Sequence, residues 1–360
     1  MDNVKKILVV DDSALMRRVL CDIINSDKRF QVVAKAEDGL EAFDLLSRNS
    51  YDAVVLDVNM PRMNGLELLK ELRKYKIPAK VMMASTDTRE GAQITLDALE
   101  LGAMDFIHKP EKSFDCREEQ FVSAILNTLD AVANGKAAIS VSGIGSRGSR
   151  EYTGKIWELA GRHSAKTAGN KVVAIASSTG GPKALQSVIT RLPKNLDAPV
   201  LIVQHMPKGF TASLAERLNS LSDIRVQEAK EGDVLRKGEV YVAMGGRHMN
   251  VRTIKGQCVI HYSDEPAREG VKPCANYMYE SLAGTNYDEI ICVVLTGMGA
   301  DGTEGIKNLK AKKKVHVITQ NQESSVVYGM PKSVVNAGLS NQVAALEQVA
   351  QEIIMQVGVK

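Results

Sequence analysis

Val172-Val173-Ala174-Ile175-Ala176-Ser177-Ser178-Thr179-Gly180-Gly181-Pro182 is the stretch on which the fold of this chain turns. An apolar run stops at two serines, a threonine and two glycines, and a proline then opens a helical pattern. The run predicts a strand of a parallel sheet buried on both faces, then a tight turn and a helix N-terminus. Hydroxyls at such a turn stand at the carboxyl edge of a sheet, where N–H groups of the next helix stabilise an anion. Read alone, the stretch is a structural turn with Ser and Thr as helix caps. A nucleophile here needs partners from elsewhere in the chain.

Two other apolar strands also end in polar side chains. Pro199–Val203 stops at Gln204-His205-Met206-Pro207, and Glu289–Leu295 runs into Thr296-Gly297-Met298-Gly299-Ala300-Asp301-Gly302. Helical patterns follow over Ala184–Leu192 and Thr211–Leu218, begin again at Tyr277–Leu282, and close the chain over Ala344–Met355. Shorter strands are expected at Ile224–Glu228, Val240–Ala243, Met249–Arg252 and Val259–Tyr262, so this region reads as an antiparallel insertion; Val315–Thr319 adds a further strand. Residues 171–360 therefore predict a doubly wound α/β domain.

In a doubly wound sheet, strand carboxyl ends meet at a crevice, which makes Ser178, His205 and Asp301 neighbours. Serine, histidine and aspartate are what nucleophilic acyl transfer requires: His takes the serine proton, and Asp fixes its tautomer and stabilises the imidazolium. The glycines at Gly180-Gly181 and over Gly297–Gly302 let backbone N–H groups approach an oxyanion. Each residue has a plain structural reading, His205 as a strand-end histidine and Asp301-Gly302 as a turn. Their coincidence at three strand ends favours chemistry. The turn differs from the Gly-x-Ser-x-Gly elbow of ordinary α/β-hydrolases. His248, after Gly245-Gly246-Arg247, reads as structural, and Lys310-Ala311-Lys312-Lys313-Lys314 as a solvated face.

The first half repeats the strand-end logic with carboxylates. Strands are expected at Ile7–Val10, Val32–Ala36, Ala53–Leu56, Val81–Ala84 and Phe106-Ile107, alternating with helices such as Gly39–Leu46 and Gly91–Leu101. That alternation predicts a (βα)5 domain with a parallel sheet covered on both faces. Asp11, Asp12 and Asp57 follow strands, so three carboxylates converge at one sheet edge. Their repulsion is relieved by a hard divalent cation, and oxygen ligands in this number suit Mg²⁺. One carboxylate can then attack a phosphoryl donor. Ser85 and Lys109, also at strand ends, can bond the added phosphoryl oxygens.

The chain of 360 residues is too long for one ordinary domain, and 44% hydrophobic with 25% charged residues is ordinary for globular protein. A formal net charge of +3 gives no argument for nucleic acid or an anionic membrane. Five scattered cysteines form no CxxC pair, so neither a disulfide framework nor a zinc site is expected, and free thiols fit a cytoplasmic location. No signal peptide and no membrane span are expected. An amphipathic helix with Phe121, Ile125 and Leu129 ends the first domain near residue 130. Residues 131–170, rich in Gly, Ser and Ala over Asn134–Arg150, read as a flexible linker. Trp157 lies there in a segment that is either a loose helix or a docking element.

Both halves resemble known families. Val9-Val10-Asp11-Asp12-Ser13, Leu56-Asp57-Val58-Asn59-Met60-Pro61-Arg62-Met63-Asn64-Gly65, Leu101-Gly102-Ala103 and Lys109-Pro110 resemble the receiver domains of two-component response regulators, which are flavodoxin-like. The resemblance implies Asp57 as phosphoacceptor and Mg²⁺ on Asp11, Asp12, Asp57 and the Asn59 carbonyl. It further implies Ser85 (with Thr86 adjacent), Lys109 and Phe106 as switch residues, and a chemotaxis histidine kinase as phosphodonor. Ser178-Thr179-Gly180-Gly181-Pro182, Gln204-His205-Met206-Pro207, Gly245-Gly246-Arg247-His248-Met249, Leu295–Gly302 and Tyr328-Gly329-Met330-Pro331 are similar to the chemotaxis protein-glutamate methylesterases. That family implies hydrolysis of γ-glutamyl methyl esters on the cytoplasmic domains of chemoreceptors, with methanol released and receptor glutamines deamidated by some members. It implies Ser178 as nucleophile, His205 as base and Asp301 as orienting acid. Thr179 would position histidine or substrate, and the Met298 N–H would receive the oxyanion. No cofactor is implied for the hydrolase domain, and membranes are met only through the receptors. Where the family commonly has Gly-Ala before the catalytic serine, this chain has Ala176-Ser177, leaving open whether Ser177 is silent. The competing reading is a non-catalytic response regulator whose second domain only binds a partner.

Overall fold

The computed structural model describes residues 4–86, 89–109, 119–135 and 169–360. The chain divides into two compact units between Gly143 and Ile144.

The first unit contains β1 (Lys5–Val10), β2 (Phe30–Ala36), β3 (Ala53–Asp57), β4 (Val81–Thr86) and β5 (Asp105–Lys109) in the order β2-β1-β3-β4-β5. All pairings are parallel. The strand order is that of flavodoxin-like sheets. Helices α1 (Ala14–Ser26), α2 (Gly39–Arg48), α3 (Gly65–Lys74), α4 (Arg89–Leu101) and α5 (Glu119–Asn134) connect or follow them. Local chemistry fixes three of the helix starts. Ser13 accepts from the Met16 N–H, Asp38 from Leu40 and Glu41, and Asn64 forms a capping box with Glu67. Helix α5 continues to Asn134, past the expected boundary at 130, and Leu129 and Val132 on it are buried. The rest of the expected linker up to residue 168, with Trp157, lies outside the described residues, as does Pro110.

The second unit is built on seven parallel strands. They are β6 (Lys171–Ser177), β7 (Val200–Gln204), β8 (Arg225–Glu228), β9 (Glu239–Val242), β12 (Glu289–Val294), β13 (Lys314–Gln320) and β14 (Gln342–Ala344), in the order β14-β13-β12-β6-β7-β9-β8. Every residue of β6, β7 and β12 is buried, as expected of strands covered on both faces. The antiparallel part is narrower than the sequence suggests. It is the hairpin β10 (His248–Ile254) with β11 (Gln257–Ser263), whereas β8 and β9 pair parallel within the main sheet. Helices α6 (Gly181–Ile189), α7 (Phe210–Leu221), α8 (Ala275–Ser281), α9 (Thr303–Lys310), α10 (Met330–Asn336) and α11 (Leu346–Val357) pack around it. Because β6 lies between β12 and β7, chain order reverses at β6, and the crevice of a doubly wound sheet opens at that reversal. Of the lysines at the end of α9 and beyond, Lys310 donates to the Leu339 carbonyl and Lys313 to those of Thr285 and Tyr287, whereas Lys312 and Lys314 are exposed as a solvated face requires.

Candidate active site

Ser178 follows β6, His205 follows β7 and Asp301 lies in the loop after β12, so the sheet brings all three to the switch point. The Ser178 N–H donates to the Thr296 carbonyl at 3.0 Å, and the His205 N–H to the Ser177 carbonyl at 3.1 Å. These bonds extend the ladder past the strand ends and fix the three loops to each other. His205 Nε2 and Asp301 Oδ2 are 2.7 Å apart. This bond leaves Nδ1 as the ring nitrogen free to serve a nucleophile. Ser178 is half-buried, and its Oγ makes no hydrogen bond among the described residues. Nucleophile–base bonds of this kind often tighten only with substrate in place.

Asp301 is the best anchored of the three. It is 2% exposed, and its carboxylate also accepts from the N–H groups of Ala275 at 2.6 Å and Asn276 at 2.9 Å, and from the Cys274 thiol at 3.0 Å. Asn276 returns the favour: its Oδ1 accepts from the N–H groups of Gly302 and Gly305. Asp301 thus caps the start of α8 while Asn276 caps the start of α9. Burial pushes the Asp301 carboxyl up, but the bonds from His205, Cys274 and Ala275 more than offset this, and it is held below its ordinary value. Burial and the Asp301 charge push the Cys274 thiol up to about 12, so it remains a donor. His248, wholly buried, accepts from the Cys274 N–H through Nδ1 and reaches the Pro266 carbonyl through Nε2. Burial lowers its pKa, and its place is behind Asp301, where it holds the α8 start.

Ser177 and Ser178 point into different surroundings. Ser177 is wholly buried and donates from Oγ to Gln204 Oε1 at 2.7 Å. Thr179 is buried, and its carbonyl accepts from Thr296 Oγ1. Gly297 accepts from the N–H groups of Gly329 and Met330 through its carbonyl, which packs the Tyr328–Pro331 motif against the nucleophile turn. The Met298 N–H makes no hydrogen bond among the described residues. Gln204, Cys274 and Asn276 had no role in the sequence reading. They lie in different segments, and no spacing rule connects them to Ser178 or Asp301.

In the first unit, one ligand oxygen from each of Asp11, Asp12 and Asp57 lies within 4.8 Å of the others. Lys109 Nζ bridges Asp11 Oδ2 at 2.7 Å and Asp57 Oδ1 at 2.8 Å. Asp57 also accepts from the Val58 N–H. Burial raises the Asp57 pKa, Asp11 adds to the rise, and Lys109 opposes it. Ser85 and Phe106 are buried, and Asn59 is exposed at the loop after Asp57. In the pairing of β4 with its neighbours, Ala84 stands opposite Asp57 and Thr86 opposite Lys109, which puts Ser85 between these two positions.

A family model described as CheB methylesterase matches residues 173–353, and one described as response regulator receiver domain matches residues 7–119. The chain is 42% identical over 355 residues to a protein-glutamate methylesterase/protein-glutamine glutaminase of Bacillus licheniformis, covering 97% of each. It is 41% identical over 352 residues to a protein of the same name from Pyrococcus abyssi, covering 98% of this chain and 93% of the other. The crystal structure of the catalytic domain of Thermotoga maritima CheB methylesterase is similar with a TM-score of 0.50 at 38% identity, covering 52% of this chain and 98% of that one. These likenesses favour an enzyme over a response regulator that only binds a partner. A receiver sheet ending in clustered carboxylates, a second sheet whose switch point joins Ser178, His205 and Asp301, and relatives alike from end to end lead to one assignment: the chain belongs to the CheB methylesterase family and carries a response regulator receiver domain.

Proposed function

We propose that this protein hydrolyses γ-glutamyl methyl esters on the cytoplasmic domains of chemoreceptors, releasing methanol, and that phosphorylation of Asp57 controls the rate. The observation that carries the catalytic part is the 2.7 Å His205–Asp301 contact at the sheet edge that also bears Ser178. Ser178 Oγ bonds to the ester carbonyl carbon as His205 Nδ1 takes its proton. Asp301 stabilises the resulting imidazolium through Nε2–H. The displaced electron pair settles on the carbonyl oxygen, which the Met298 N–H receives. Collapse breaks the bond to the methoxy group, which takes the proton from His205 and leaves as methanol. Water then repeats the sequence on the acyl-serine, freeing the glutamate carboxylate and Ser178. Thr179, beside the nucleophile, positions the histidine or the substrate. The glutaminase in the relatives' name needs the same groups, with ammonia leaving from a receptor glutamine.

In the receiver, three hard oxygen donors and a buried carboxyl with a raised pKa fit a divalent cation. Asp11, Asp12, Asp57 and the Asn59 carbonyl would hold Mg²⁺, which supplies positive charge against phosphoryl oxygens. Asp57 accepts the phosphoryl group from a chemotaxis histidine kinase. Ser85 and Lys109 receive its oxygens, and Phe106 follows their movement. In this reading residues 135–170 join the two domains. The protein works in the cytoplasm and meets the membrane only through its receptors; no described helix is long and apolar enough to cross one.

Methanol release from methylated receptor is the test. Ser178→Ala should lower the rate by a factor of about 10⁴ or more. A variant that keeps the wild-type rate rules out Ser178 as nucleophile.

A further inference from the structure

We propose that the buried Ser177–Gln204 pair is a positioning device for the reaction, tying the backbones of nucleophile and base to a single side-chain amide. The inference rests on the reading of Ser178 as nucleophile and His205 as base. Gln204 Nε2 lies 3.0 Å from the Ser178 carbonyl and 3.1 Å from the His205 carbonyl. Both amide hydrogens are therefore spent, one on the turn after β6 and one on the turn after β7. Two carbonyls on one side fix the orientation of the amide, because only the NH₂ end can donate to them.

Oε1 is thereby turned inward, where Ser177 Oγ meets it at 2.7 Å. Room for this oxygen exists because residue 181 is glycine: a Cβ there would run into Oε1. Gln204 is 2% exposed and Ser177 0%, so water does not replace either partner. A buried amide oxygen left unpaired costs about 1–3 kcal/mol, which weakens the hold of the amide on both carbonyls. The neighbouring serines thus divide the work. Ser178 keeps its hydroxyl free in the crevice, and Ser177 uses its own to set where that hydroxyl stands. Reacting groups tolerate little displacement, since a misplacement of about 1 Å can cost about 100-fold in rate.

The experiment is a double-mutant cycle in the full-length protein, read by methanol release from methylated receptor. Ser177→Ala should lower kcat about tenfold and leave KM within about twofold. In a Gln204→Met background the same replacement should change kcat by less than about twofold, because its route of action is gone. Ser177→Thr keeps the hydroxyl and Ser177→Val is its apolar isostere, so Thr should exceed Val in kcat even if Gln204→Met does not fold. Additive effects in the cycle, equal Thr and Val variants, or a Ser177→Ala variant that loses melting temperature but keeps wild-type kcat would each overturn the proposal. Ser178→Ala is run alongside. If it stays active, the nucleophile reading fails; if it is silent while Ser177→Ala matches wild type, only the positioning role fails.

Discussion

Two buried aspartates in this chain are pushed in opposite directions. At Asp301 the hydrogen bonds win over burial, and the carboxylate is held charged beside His205. At Asp57 burial wins, with Asp11 adding to it, and the carboxyl is raised although Lys109 lies 2.8 Å away. A carboxyl whose folded pKa exceeds its unfolded value costs stability when ionised. The cost is fully present above the folded pKa and fades as pH falls toward the ordinary carboxylate range. Asp57→Asn should therefore stabilise the receiver at neutral pH, with the gain shrinking as pH falls toward the ordinary carboxylate range of about 4. Urea unfolding at the two pH values measures this; destabilisation at neutral pH, or a gain independent of pH, would contradict it. At this scale Asp11, Asp57, Lys109, Ser178, His205 and Asp301 were legible because each stands at, or in the loop after, the carboxyl end of an apolar strand. Cys274, Asn276 and Gln204 were not, because their roles come from side-chain bonds between distant segments. Ser177 was legible only as an oddity, and its partner decides what it does.

At the scale of elements, the strands that carry the site were the easiest to read. β6, β7 and β12 are buried along their whole length, and within them Val172–Ala176, Val200–Val203 and Ile290–Val294 are unbroken apolar runs. The directions of β8 and β9 were harder, since four-residue strands bounded by turn residues look alike whether they pair parallel or antiparallel. Helix α3 carries a capping box at Asn64 and Glu67, a local signal that periodicity alone passes over. The loop after β12 shows how tightly two turns interlock. A Cβ on Gly297 would lie 2.8 Å from Ser178 Cβ and 3.1 Å from the Ser178 nitrogen, and would also collide with Met330 Sδ. The Met330 side chain can give way; the nucleophile turn cannot do so without moving Oγ. Gly297→Ala should cost about 1–3 kcal/mol in stability and lower methanol release by more than the folded fraction accounts for. Thermal melting paired with the activity assay checks this, and a wild-type rate in a folded variant would contradict it.

At the scale of the molecule, one principle serves both units. Parallel strands deliver polar side chains from remote parts of the sequence to one edge of a sheet. In the first unit that edge collects carboxylates and a lysine, and in the second a serine, a histidine and an aspartate; the proposed function puts a phosphoryl group at the first edge and an acyl group at the second. The two-domain order and both sheet types follow from strand–helix alternation in the sequence. Coupling between the units is chemical in this account: phosphorylation at Asp57 shifts a population, and Ser178 does the hydrolysis. The measurement that tests this most directly is the rate of methanol release from methylated receptor, with and without a small phosphodonor and Mg²⁺, for the wild type, Asp57→Asn and Ser178→Ala. The donor should accelerate the wild type, leave Asp57→Asn unchanged, and rescue nothing in a silent Ser178→Ala. Equal wild-type rates with and without the donor, or methanol release by Ser178→Ala at the wild-type rate, would contradict it.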